Sequence, residues 1–311
     1  MSSSPLVGSD RGLIDLAEVA AERFEALRVR AVFLARDIDT GLEVGIGVER
    51  PMPLASVAKV PLALVVADRI ARGEIDGGSM VTLPADERSF GPYGISAFAH
   101  DATCSVADLM LMMLGLSDNA AADALFAKVS PREVDEQLAE WGLAGLRVRH
   151  RMQPMYDYAT AIAGHDFALA TQLAVEGRRP GGRHVIDSLD IERATVGSPR
   201  ACVDLLERIW LDEVAKPEAT AMVRRLMSKQ VFTHRIAADL LADDIELAGK
   251  TGGFLTLRHE IAVIAHPGGR VAIAVLTDSD RTARIQNDVD LAIAATAREV
   301  VEALASRRPP A

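Results

Sequence analysis

The sequence predicts an α+β protein in which strands from both ends of the chain build one sheet, with a helical domain inserted between them. Three observations carry this. Short β-branched segments occur at 29–38 and 43–48, and again at 245–251, 259–266 and 270–277. The long stretch between the two groups shows apolar spacing of helical period, and helix-period segments also flank the strands at 13–27 and 287–304. A sheet shared by both ends, with helices between its halves, is the simplest layered solution. The domain reading is therefore 12–58 with 192–306 as a discontinuous sheet domain and 59–191 as a helical domain. Residues 1–11 and 307–311 are expected to be disordered tails. No internal repeat is present.

Each element has its own signal. Leu13, Leu16, Ala17, Ala20, Phe24 and Leu27 mark one face of the first helix. Asp39-Thr40-Gly41 turns the following hairpin. An apolar run at 60–67, closed by Arg72-Gly73, reads as a buried helix, and 74–100 as loop and turn. Ser105 with Asp108 forms a capping pattern for a helix at 106–114 that stops at Gly115. Helices at 120–129 and 132–141 follow, and 156–174 also looks helical. An exposed loop spans 177–182. Two more helices occupy 199–210 and 217–227, and Pro267-Gly268-Gly269 turns the last hairpin.

Composition narrows the partners. At 311 residues and 49% apolar content the chain can bury a substantial core. Net charge is −10, with Arg and Lys dispersed, and aromatics are only 4%. This argues against nucleic acid and anionic membrane. Cys104 and Cys202, each in a segment read as helical, have no metal-type spacing and are expected to be buried free thiols. No metal or organic cofactor is expected. The start of the sequence has no basic-then-apolar pattern and no run approaches a bilayer span, so the expectation is a cytoplasmic monomer acting on a small molecule.

The chemistry begins at Ser56-Val57-Ala58-Lys59. One helical turn separates Ser56 from Lys59, which puts an amine within reach of a hydroxyl. Serine needs such a base to act as a nucleophile, and lysine is a base only when burial or positive neighbours keep it neutral. Pro61 falls in the first turn, where a missing N–H costs least. With 16 serines and 5 lysines in 311 residues, this spacing arises by chance roughly 0.26 times, so alone it reads as a helix start with a solvated lysine. Two further motifs change that. Ser117-Asp118-Asn119 occupies a turn between helices, and Lys250-Thr251-Gly252-Gly253 lies on a strand that can run beside the Ser56 helix. In isolation the first is a helix cap and the second a strand end. In this order the three form the set of penicillin-recognising serine enzymes.

Over most of its length the chain resembles the class A β-lactamase family. Besides the three motifs, Gly94-Ile95 through Ser105-Val106-Ala107-Asp108-Leu109, Ala194-Thr195-Val196-Gly197-Ser198-Pro199, Thr233-His234-Arg235-Ile236 and Ile261-Ala262-Val263-Ile264 fit the family. The resemblance implies a β-lactamase/transpeptidase-like fold with a five-stranded antiparallel sheet flanked by helices and the site between sheet and helical domain. It implies a serine hydrolase acting on cyclic amide C–N bonds, with Ser56 as nucleophile and Lys59 as base. The Ser56 and Gly253 amides would form the oxyanion hole. Ser117 would relay a proton between Lys59, Lys250 and the leaving nitrogen, and Asn119 would hold the substrate amide. Lys250 would contribute positive potential. Thr251 and Gly252 would line the substrate strand, and Arg235 or Arg258 would meet a substrate carboxylate.

One family segment has no counterpart. The Glu-x-x-Leu-Asn stretch, whose carboxylate activates the deacylating water, is replaced by Arg147-Val148-Arg149-His150-Arg151-Met152-Gln153-Pro154-Met155-Tyr156-Asp157. An apparent extra helix at 158–174 follows. Asp157, Asp166, His150 and His165 are the candidate substitutes, each of which also reads as a solvated surface group. Three activities remain open: a β-lactam hydrolase with doubtful deacylation, a peptidase or esterase on a muropeptide-like substrate, and a β-lactam-binding protein that acylates without turnover.

Overall fold

The computed structural model describes residues 5–240, 242 and 244–308. In chain order, β1 (Leu6–Gly8) and α1 (Arg11–Ala26) precede β2 (Val29–Asp37), β3 (Glu43–Ile46) and β4 (Met52–Pro53). The helical part runs through α2 (Lys59–Ala71), β5 (Met80–Leu83), β6 (Ala102–Ser105), α3 (Val106–Gly115), α4 (Asn119–Phe126) and α5 (Pro131–Glu140). It continues through β7 (Leu146–Arg147), α6 (Met152–Ala163) and α7 (Phe167–Glu176) to β8 (Val196–Gly197). The chain then forms α8 (Pro199–Trp210), α9 (Pro217–Met227), β9 (Glu246–Phe254), β10 (Leu257–His266), β11 (Gly269–Ser279) and α10 (Asn287–Ala305).

The main sheet is antiparallel throughout, in the order β1-β3-β2-β11-β10-β9. Both ends of the chain contribute, as the pattern predicts. Successive side chains on a strand point to opposite faces, and here both faces are covered. Phe33 and Ile273 meet Phe24 of α1 and Ile293 and Val300 of α10 on one side. Val32, Leu34, Ile261 and Val263 join the helical core on the other. That double burial explains why these strands read as apolar runs. The helical core centres on α2, where every residue from Lys59 to Asp68 is buried. A helix enclosed on all sides is a central element. Full burial of Leu62 and Leu64 stabilises it by roughly 1.5–3 kcal/mol each.

Several expectations need correction. Among the described residues the sheet has six strands, not five, because Leu6–Gly8 pairs with Val44–Ile46. Those residues fall in the stretch 1–11 expected to be disordered. At the other end, Arg307 pairs with Asp10 and Arg308 with Asp37 and Asp39, so 307 and 308 are fastened to the sheet domain; residues 1–4 and 309–311 lie outside the described residues. The helical domain is not wholly helical, since Met80–Leu83, where loop was expected, pairs with Ala102–Ser105 in a two-stranded ribbon. Cys104 lies on that ribbon, not on a helix. The stretch 156–174 is two helices, broken at Gly164, whose φ of 59° favours glycine, with Asp166 capping the second.

Candidate active site

Ser56 lies in a 3₁₀ turn, Ala55–Ala58, that runs straight into α2. Side chains three apart eclipse on such a turn, and Lys59 Nζ donates to Ser56 Oγ at 3.1 Å. Ala55 has a φ of 47°, a left-handed conformation that is costly for a residue with a Cβ. The turn is held by the Leu54 amide donating to the Thr195 carbonyl at 2.9 Å and the Val57 amide to the Leu54 carbonyl at 3.1 Å.

The second motif closes over the same amine. Ser117 also has a left-handed φ, 59°. It presents both its carbonyl and its hydroxyl to Lys59 Nζ, at 2.6 and 3.2 Å. Asn119 Oδ1 accepts from the same nitrogen at 2.7 Å, while Asn119 Nδ2 donates to the Phe90 carbonyl at 2.8 Å. Between them Asp118 points away. It is fully buried, accepts from the Ile95, Ala120 and Ala121 amides and from Ser96 Oγ, and so caps α4 and fixes the turn.

Lys59 is completely buried among oxygen acceptors with no carboxylate in hydrogen-bond reach among the described residues. Burial pushes its ammonium down to about 7, against the weaker upward pull of Asp118 and Asp123. The amine is thus substantially neutral near pH 7, as a general base requires.

β9 brings the third motif alongside. A Cβ on Gly252 would stand 2.9 Å from the Leu54 carbonyl and 3.0 Å from Val57 Cγ2, so the strand backbone lies directly against the Ser56 turn. Gly253, the next residue, is exposed, and a Cβ there would meet nothing nearer than 3.8 Å. Lys250 is fully buried, and its Nζ donates to the Thr251 carbonyl at 2.9 Å. Burial and then Lys59 hold its ammonium well below the ordinary range. No hydrogen bond joins Lys250 to Ser117 among the described residues.

The two arginines differ. Arg235 reaches β9: its Nη1 donates to the Gly252 carbonyl at 3.1 Å and the His259 carbonyl at 2.7 Å, while Nε pairs with Asp290 at 2.8 Å. Its Nη2 lies 3.9 Å from where a Gly253 Cβ would be. Arg258 instead is wound into its own loop, donating to the Leu255, Leu257 and Arg284 carbonyls.

Sequence reasoning missed several groups beneath the site. Glu260, fully buried on β10, accepts from Gln230 Nε2 and the Ile236 amide, both at 2.7 Å. Gln230 Oε1 in turn accepts from the Thr251 amide at 2.5 Å. Burial pushes the Glu260 carboxyl up to about 7, with Arg235 opposing. The signal was a lone glutamate inside the apolar run His259–His266. Tyr156 was also missed. Its ring packs edge-on against Phe90 and Phe254. Burial raises its hydroxyl pKa, and the neighbouring Asn119 side chain opposes that rise.

The four candidate deacylation groups make other contacts or are exposed. Asp157 accepts from Gln153 Nε2, Asp166 caps α7, and His165 is exposed. His150 Nε2 accepts from the Thr195 amide. None of the four hydrogen-bonds to Ser56 or Lys59. Among the described residues no cluster of three His, Cys, Asp or Glu side chains is placed to hold a metal, and no helix is long and apolar enough to cross a membrane.

A serine and a buried lysine on one turn, a Ser-Asp-Asn turn above them and a Lys-Thr-Gly strand beside them define the serine β-lactamase and penicillin-binding class of fold. The chain belongs to the β-lactamase enzyme family, whose model matches residues 15–304. It is 37% identical over 286 residues to the β-lactamase regulatory protein BlaB of Streptomyces cacaoi, covering 88% of this chain and 92% of that protein. Among solved structures it superposes on a β-lactamase from Sphaerobacter thermophilus with a TM-score of 0.75 at 18% identity, covering 95% and 98% of the two chains. It also superposes on a point mutant of PBP-A, in an acyl-enzyme complex with penicillin G, with a TM-score of 0.74 at 17% identity and coverage of 94% and 97%.

Proposed function

We propose that this protein is a serine acyl-transfer protein that is acylated at Ser56 by a β-lactam and releases the product slowly. The observation that carries this is the buried Lys59 amine 3.1 Å from Ser56 Oγ, its ammonium pushed down to about 7 by burial. Lys59 takes the Ser56 proton as Oγ attacks the lactam carbonyl, and the Ser56 and Gly253 amides stabilise the oxyanion. As the C–N bond breaks, Ser117 passes a proton from Lys59 to the leaving nitrogen. Arg235 and Thr251 meet the substrate carboxylate, and Asn119 holds its amide.

Slow release follows from what surrounds the ester. Ala55, Met155, Phe254 and Leu257 share one apolar cluster beside the nucleophile, and among the described residues no carboxylate hydrogen-bonds to Ser56 or Lys59. A positioned general base contributes typically 10²–10⁴-fold, so its lack leaves a long-lived acyl-enzyme. A binding or sensing role fits that kinetics, and the regulatory designation of the Streptomyces cacaoi relative favours it over a hydrolytic one. Nitrocefin turnover tests the reading. The expected result is one stoichiometric burst followed by turnover slower than once per minute. Many turnovers per second would make the protein a β-lactamase in the full sense. Steady ester cleavage without any β-lactam burst would make it an esterase or peptidase.

A further inference from the structure

We infer that the protein has a second small-molecule site, for an organic anion, in an arginine-lined cavity separate from Ser56. The cavity, about 480 Å³, opens between β2, the segment leading into β4, the loop after α7 and the end of β11. Its volume suits a small organic ligand, for which ~300–1,000 Å³ is usual. Its wall carries five arginines, Arg30, Arg50, Arg178, Arg179 and Arg183, against one carboxylate, Asp278. Such a concentration is unexpected in a chain of net charge −10.

The local ion pairs do not use up these guanidinium groups. Arg30 and Arg178 share Asp278 and Asp280, and Arg183 pairs with Asp190 and Glu192. Arg50 and Arg179 form no ion pair among the described residues and are exposed at the rim. Arginine forks suit carboxylate and phosphate oxygens, which they bind in bidentate fashion. The remaining wall, including Val32, Met52 and Ile191, is apolar. The ligand class is therefore an anion with an apolar body, carrying a phosphate or carboxylate. Ser56 does not line this cavity.

Isothermal titration calorimetry of the full chain at low salt with 1-naphthyl phosphate and 1-naphthoate tests this. One of the two should bind with a sub-millimolar Kd, and the tighter one identifies the anion. The double variant Arg50→Ser/Arg179→Ser, checked for an unchanged melting temperature, should weaken binding about tenfold or more. Ser56→Ala should leave it unchanged. No binding of either probe at millimolar concentration, undiminished binding by the double variant, or loss of binding in Ser56→Ala would each overturn the inference.

Discussion

Lowering the pH should slow acylation of Ser56 through a single titration, and the structure sets its size. The Lys59 ammonium is pushed from its ordinary 10.5 to about 7 by burial. Its neutral fraction is then about half at pH 7, roughly 10% at pH 6 and roughly 1% at pH 5. If the neutral amine takes the Ser56 proton, the second-order acylation rate levels off above pH 8. It falls about tenfold per unit below pH 6 and is about a hundredfold lower at pH 5. Quenched-flow intact-mass measurement with benzylpenicillin gives the rate directly. Glu260 is the confounding group, because its carboxyl is also pushed to about 7 and it lies near Lys250. Glu260→Gln removes that titration, and the acid limb should survive in it. A flat profile between pH 5.5 and 8.5 would refute the reasoning. So would an acid limb that disappears with Glu260, or wild-type acylation by Lys59→Arg, whose guanidinium cannot accept the proton.

Other outcomes follow from the packing. Gly252→Ala places a Cβ 2.9 Å from the Leu54 carbonyl, and overpacking of that kind should cost about 1–3 kcal/mol in denaturant unfolding. Gly253→Ala meets nothing within 3.8 Å, so its melting temperature should match the wild type while β-lactam acylation slows. Arg235→Ala strands the largely buried Asp290, whose side chain is 13% exposed. Unfolding in urea should register a loss of about 3–5 kcal/mol. Tyr156→Glu sets a carboxylate beside Asn119, and the acyl-enzyme lifetime measured by mass spectrometry should shorten by about tenfold or more. An unchanged lifetime would show that the deacylating water does not approach from that side.

The Ser56 turn, the Ser-Asp-Asn turn and the Lys-Thr-Gly strand were legible because each is a local pattern with a local cause. Ser56 and Lys59 meet through helical spacing, Ser105 caps α3 through its own side chain, and Pro199 and Pro217 sit at helix starts where the lost N–H costs least. What stayed hidden depends on distant chain. Leu6–Gly8 is too short to show a period, and it becomes a strand only because β3 offers an edge. Arg308 is fastened by Asp37, a buried carboxylate across the whole sequence. The support under β9 joins Gln230, Thr251 and Glu260 from three segments, which no motif spans. The break at Gly164 was readable, since glycine followed by the cap residue Asp166 is a stop-and-start signal. The apolar periodicity on either side masked it.

The measurement closest to the central claim is intact-mass spectrometry of the wild type and Ser56→Ala after exposure to excess benzylpenicillin. The wild type should gain the mass of one intact penicillin, and the adduct should persist for minutes or longer after free antibiotic is removed. Ser56→Ala should gain nothing. An adduct of equal yield on Ser56→Ala would contradict the assignment of the nucleophile. Failure of the wild type to form any adduct, with no penicillin consumed, would contradict the acylation chemistry itself.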